Sequence, residues 1–166
     1  MKTLFLVLVS LYSMHVFGQK NNSNYQTKNN KMKISQIKIN PDPYQPFRLA
    51  QGYRAGDLLF ISGQTAIDDH GQLIGIGDFD KQATQAFENL ERVLKAGGSS
   101  LKNVIKVTIL LKDMGNFNKI VALRGKYFTA PYPADTILEV SSLYSPDALI
   151  EIEAVAVADD AAEWKQ

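Results

Sequence analysis

The chain has 166 residues, 45% hydrophobic and 21% charged, which is enough for one compact domain with a real core. Its 18 basic and 17 acidic residues leave a formal net charge of +1, which excludes a nucleic-acid footprint built on surplus positive charge. It has no cysteine, so disulfides, thiol nucleophiles and Cys-based metal sites are excluded together.

At the N-terminus Lys2 precedes the apolar run LFLVLVSLY (4–12), and HVFGQ closes the segment. This is the pattern of an export signal over residues 1–18, cleaved between Gly18 and Gln19. An uncleaved anchor is the alternative, but the run falls short of the ~20 residues a bilayer needs. Export implies a periplasmic or secreted protein with no membrane span after cleavage. The cut removes Lys2 and no acid, so the net charge goes from +1 to 0, and it removes His15, leaving His70 as the single histidine. No triad or zinc site needing two imidazoles can then form within one subunit. Residues 19–33, rich in asparagine and lysine, bury too little to repay ordering and read as a flexible linker, whose lysines could also touch an anionic surface.

The domain proper spans 34–159. ISQIKIN alternates as a strand, and after Pro41, Pro43 and Pro46 the segment FRLAQGYRAGDLLFISGQ reads as two strands turned at Ala55 to Asp57. Residues 80–96 place Ala83, Ala86, Phe87, Leu90, Val93 and Leu94 on one helical stripe, capped by Asp78 or Asp80 and stopped by Gly97 and Gly98. NVIKVTILLK follows as a strand with Ile105, Val107, Ile109 and Leu111 on one face and Lys106, Thr108 and Lys112 on the other. A second helix from about Asn116 to Phe128, the stretch PADTILEV, and a last strand ALIEIEAVAVA complete the domain; 160–166 is a tail carrying Trp164. The order predicts an α+β layer, two helices on one face of a mixed β-sheet, with the other face, including the alanines and valines of 154–158, packing on further copies of the chain.

AGDLLFISGQ (55–64), QATQAFENLERVLKAGGSSLKNVIKVTILLKDMGNF (82–117), YF (127–128), PADTILEV (133–140) and ALIEIEAVAV (148–157), in this order, resemble the reactive intermediate deaminase (Rid, YjgF-like) family. The resemblance implies a chorismate-mutase-like single domain, a homotrimer with a central barrel, and a small-molecule pocket at each subunit interface. It implies hydrolysis of reactive enamines and imines, with release of ammonia and without metal or cofactor. Ser62, Gly63 and Gln64 match the family's SGQ segment, and Glu151 matches its glutamate. Where the family keeps a carboxylate-clamping arginine this chain has Asp135. The family tyrosine falls on Leu49 or Phe47, and the helix asparagine on Val121.

Asp135 removes a bidentate donor and adds the wrong sign. Two like charges about 4 Å apart repel by roughly 4 kcal/mol at an effective dielectric of 20, so an anionic imino acid is expected to be disfavoured by orders of magnitude. The expectation is a hydrolase taking neutral or cationic small molecules, with Asp135 on an amine, iminium or hydroxyl group, Glu151 activating water, and Ser62 with the backbone around Gly63 orienting the ligand. Asp135 could instead cap a turn or pair with a Lys or Arg of the neighbouring subunit. A non-catalytic binding trimer and a chaperone-like trimer are the alternatives in function.

Two further clusters invite chemistry. Glu151 and Glu153 share a strand face about 6.6 Å apart, a spacing that could suit an inverting glycosidase, or Glu153 could pair with Lys106 or Lys112. Asp68, Asp69, His70, Asp78 and Asp80 gather in one stretch that could look like a metal site, but they lack calcium-loop spacing, and turn-forming and helix-capping roles explain them.

Overall fold

The computed structural model describes residues 31–163. The export signal, most of the linker and Trp164 lie outside the described residues. Six strands form one sheet: β1 (Ile34–Ile37), β2 (Gly52–Ala55), β3 (Leu58–Gln64), β4 (Val104–Leu111), β5 (Ala134–Glu139) and β6 (Ile150–Val157), in spatial order β1-β2-β3-β6-β4-β5. Only β4 and β5 run parallel, because α2 (Phe117–Tyr127) carries the crossover between them. The β2–β3 hairpin turns at Gly56 and Asp57, and Gly56 holds φ at +61°, a left-handed conformation that glycine adopts without steric cost.

Helix α1 (Phe79–Ala96) starts where the Asp78 side chain accepts from the Lys81 N–H. Its stripe of Phe79, Ala83, Ala86, Phe87, Leu90, Val93 and Leu94 is buried against β3 and β6. On α2 only Ile120 is fully buried; Leu123 and Tyr127 close the margin, with the Tyr127 ring stacked on Phe87 at 4.4 Å between centroids. Among the described residues no helix is long and apolar enough to cross a membrane.

Two bulges correct the face assignments. Between Val104 and Lys106 the register against β6 slips by one residue, so Val104 joins Val107, Ile109 and Leu111 in the core and Ile105 is only half-buried. Between Ile61 and Gln64 the register against β6 slips likewise, which turns Gln64 inward beside Ile61. The last strand also divides differently from the expectation: Ala154, Ala156 and Ala158 face the helices in the core. Val155 lies opposite Phe60 and Lys106 on the open face, where Tyr53, Phe60 and Leu138 are exposed.

Two buried amides on α1 fasten the loops at one end of the sheet. Gln82 donates to the carbonyls of Gly75 and Asp147 and accepts from the Leu149 N–H; Asn89 donates to the carbonyls of Thr65 and Ile67. Replacing Asn89 with alanine strands two carbonyl acceptors in a buried setting, so Asn89→Ala is expected to cost about 1–3 kcal/mol in urea unfolding. Stability unchanged within error would mean that solvent already serves these carbonyls.

Candidate functional site

The segment after β3 and the loop before β2 enclose a small cleft of about 130 Å³. The bulge at Ser62 and Gly63 decides what lies in it. A side chain at 63 would begin 1.8 Å from Glu151 Oε1, so the carboxyl of Glu151 fills the space that the absent side chain leaves. Phe47, Leu49 and Ile67 supply apolar walls, and Tyr44, Tyr144, Ser62 and Thr65 bring hydroxyls.

Each polar group has a defined setting. Tyr44 donates to the Gly63 carbonyl, and its backbone N–H donates to Asp42 Oδ1. Burial pushes the Tyr44 hydroxyl up to about 12, against hydrogen bonds with Thr65 that lower it, while the Glu151 charge adds to the rise. Burial also raises Tyr144. Ser62 donates its hydroxyl proton to the Ala50 carbonyl, which leaves its lone pairs to accept. The Glu151 carboxyl is pushed above the usual carboxylate range, mainly by burial and further by the like charge of Glu153. Phe47 and Tyr144 meet edge to face at 6.4 Å, closing one side.

Of the residues singled out from the sequence, Glu151, Ser62, Gly63, Leu49 and Phe47 line this cleft. Gln64 does not. It is 2% exposed, donating to Gln51 Oε1 and the Ser62 carbonyl, and Gln51 in turn donates to Asp42. Gln64 therefore holds the loop that presents Tyr44. Sequence reading missed Tyr44 and Tyr144; the hydroxyl absent at 47 and 49 enters from Tyr44, and the cluster of Pro41, Pro43 and Pro46 around it was the available signal.

Val121 and Asp135 fall in a second cleft, about 400 Å³, beside α2. Asp135 pairs with Val107 in the β4–β5 register, which points it to the helix side, and there its Oδ2 forms an ion pair with Arg124 Nη2. Its backbone lies open on the edge strand while its side chain is only 19% exposed. The bare negative charge expected at this position is thus neutralised within the same chain.

The other clusters resolve into structural roles. Asp68 accepts from the N–H groups of His70 and Gln72, Asp69 pairs with Arg92, Asp78 caps α1, and Asp80 pairs with Lys119. Among the described residues no group of three or more His, Asp or Glu is arranged to hold a metal ion. Glu153 is exposed and pairs with neither expected lysine: Lys106 donates to Thr136 and the Val107 carbonyl, and Lys112 to the Ser141 carbonyl. Glu151 and Glu153 extend from one face of one strand, which gives them no means of flanking a glycosidic bond from opposite sides.

Residues 39–158 match a family model described as endoribonuclease L-PSP. The chain belongs to this family, the Rid or YjgF-like group. It is 45% identical over 116 residues to a RutC family protein of Pyrococcus horikoshii, covering 70% of this chain and 90% of that one. It is 39% identical over 100 residues to the 2-iminobutanoate/2-iminopropanoate deaminase of Homo sapiens, covering 60% of this chain and 72% of that one. Among solved structures it is similar to the Rid family protein YyfA of Yersinia pestis, at 29% identity and a TM-score of 0.70, covering 76% of this chain and 100% of that one. The mixed sheet with two helices is the fold of this family, as the sequence implied.

The raised pKa of Glu151 has a thermodynamic sign. The folded protein holds this proton more tightly than the unfolded chain, so the group favours folding at low pH and loses that contribution as pH rises through its folded pKa. Glu151→Gln is expected to match the wild type in urea midpoint near about pH 4 and to exceed it at pH ~8. Parallel pH profiles for the two proteins would show that the carboxyl is not held in a desolvated place.

Proposed function

We infer that this chain is a hydrolase of small imines and enamines that works without a cofactor, and that the cleft beneath Glu151 is where water meets the C=N bond. The observation that carries the reading is a carboxyl with a raised pKa, seated over Gly63 in a cleft otherwise walled by apolar and hydroxyl groups. Kinship with a deaminase of 2-iminobutanoate and 2-iminopropanoate supports the reaction type.

The chemistry asks little of the protein. Protonated Glu151 gives its proton to the imine nitrogen, which makes the carbon electrophilic; as a carboxylate it then takes a proton from the attacking water. The carbinolamine collapses with cleavage of the C–N bond, so that one imine and one water yield one ketone and one ammonia. Tyr44 and Ser62 orient the water and the substrate, and the apolar walls keep competing solvent out. Because the proton starts on Glu151, turnover declines as pH rises above its elevated pKa.

The substrate in this reading is uncharged next to the reacting bond. Pairing with Arg124 removes the attraction Asp135 would offer a cation, and it also leaves no uncompensated guanidinium for an anion. The working form is a homotrimer, in which the exposed apolar side chains Tyr53, Phe60 and Leu138 of the sheet are covered and each cleft lies at a subunit interface. Export through the 1–18 signal to the periplasm or medium belongs to the same proposal.

Purified protein given the amide of 2-iminobutanoate, generated in situ, is expected to release the keto product, and to turn over 2-iminobutanoate itself far more slowly. Glu151→Gln should lower the rate by about 10²–10⁴. Gly63→Ala, which expels the carboxyl, should do the same while remaining folded by circular dichroism. Wild-type rates no better than buffer, or full activity in Glu151→Gln, would remove the hydrolase reading. Sedimentation equilibrium should return three chains per particle; a monomer would remove the interfacial part.

A further inference from the structure

The second cleft carries a feature that hydrolysis at Glu151 does not use. Its walls are Val121, Phe128, Tyr132 and Pro133, and the α2 residue Gly125, with open space where a side chain would stand, widens the mouth. At about 400 Å³ it lies within the roughly 300–1,000 Å³ typical of small-molecule sites. Its charged lining consists of one cation and one anion, Arg124 and Asp135.

That pair is held in place. The two side chains are 24% and 19% exposed, and the guanidinium lies over the Phe117 ring at 5.8 Å. The ion pair joins Arg124 Nη2 to Asp135 Oδ2. Arg124 Nε is itself buried without an acceptor, so the guanidinium N–H groups outside the Nη2–Oδ2 contact are the donors that face the cleft, and a carboxylate has more acceptor sites than one contact fills. A donor edge and an acceptor edge are thus left adjacent, on a unit whose net charge is zero.

We propose that the Arg124–Asp135 pair is a recognition site for a small neutral group presenting an acceptor beside a donor, of the primary carboxamide or ureido class, and that it discriminates against the matching carboxylate. A carboxamide oxygen accepts from Arg124 while its N–H donates to Asp135. A carboxylate meets the same guanidinium but sets a second anion beside Asp135, and an ammonium meets Arg124 with like charge. In the proposed trimer this cleft supplies the group next to the reacting bond, and to that extent the inference rests on the hydrolase reading; as a binding site it stands in a single chain.

The probes are pyruvamide and pyruvate, nearly equal in shape and different in charge. Titration of the full-length protein by NMR, observing Arg124 Nε–H and the Gly125 amide, is expected to show pyruvamide binding about tenfold more tightly than pyruvate. Asp135→Asn leaves the guanidinium uncompensated and should reverse the order. Arg124→Gln should weaken pyruvamide about tenfold and provides the result if Asp135→Asn does not fold. Tighter pyruvate binding in the wild type, no reversal in folded Asp135→Asn, or no response to either probe at millimolar concentration would each overturn the proposal. Pyruvamide binding without imine turnover sinks the hydrolase reading and leaves this one; turnover without pyruvamide binding does the reverse.

Discussion

One constraint organises the structure: the place where β3 slips by one residue against β6. The bulge spreads Ser62 and Gly63 across a gap in the ladder, and the space over Gly63 is filled by the Glu151 carboxyl. A regular strand would have alternated Ile61 and Gln64 onto opposite faces, leaving Gln64 outside the core. The slip brings both inside, so Gln64 can reach Gln51, and Gln51 can reach Asp42, which fixes the loop carrying Tyr44. A single local irregularity thereby seats the acid and anchors the loop that faces it. The energetic side is consistent, since burial of the carboxyl raises its pKa and so favours its neutral form there.

Much of the fold could be read from periodicity. The α1 stripe, a cap at Asp78 or Asp80 and the Gly97–Gly98 stop follow from spacing alone, as does the β2–β3 hairpin. The bulges could not be read, because an extra residue in one strand leaves the alternation of apolar residues nearly intact while reversing which face the next residue takes. Ile105 was misplaced for that reason, and Gln64, which the SGQ resemblance carried into the site, turns inward for the same one. In β6 both parities are small or branched, so ALIEIEAVAVA carried no information about which of alanine and valine meets the helices.

The candidate site was legible where it rests on backbone and not where it rests on long-range pairing. Gly63 and Glu151 belong to motifs, and the chain keeps them together. Asp135 read as an isolated charge because its partner lies on α2, eleven positions earlier, where the helical pattern marks Arg124 only as a residue near the C-terminal turn. Tyr44 was hidden differently: it sits in a proline-punctuated loop with no period to assign a direction to any side chain.

The amides of Gln82 and Asn89 have a dynamic consequence. Both sit at 3% exposure or less on the inner face of α1 and hold carbonyls or an N–H of the 65–67, 75 and 147–149 segments, so those loops are tied to the most buried helix of the domain. Loops usually open with small free energies of their own. Here Thr65 and Ile67 can let go of α1 only when Asn89 does, which assigns the floor of the first cleft to the same cooperative unit as the core. The Tyr44 side of the cleft is tied separately, to β3, through the Tyr44 bond to the Gly63 carbonyl and the Asp42–Gln51–Gln64 chain, so the two walls of the cleft answer to different parts of the domain.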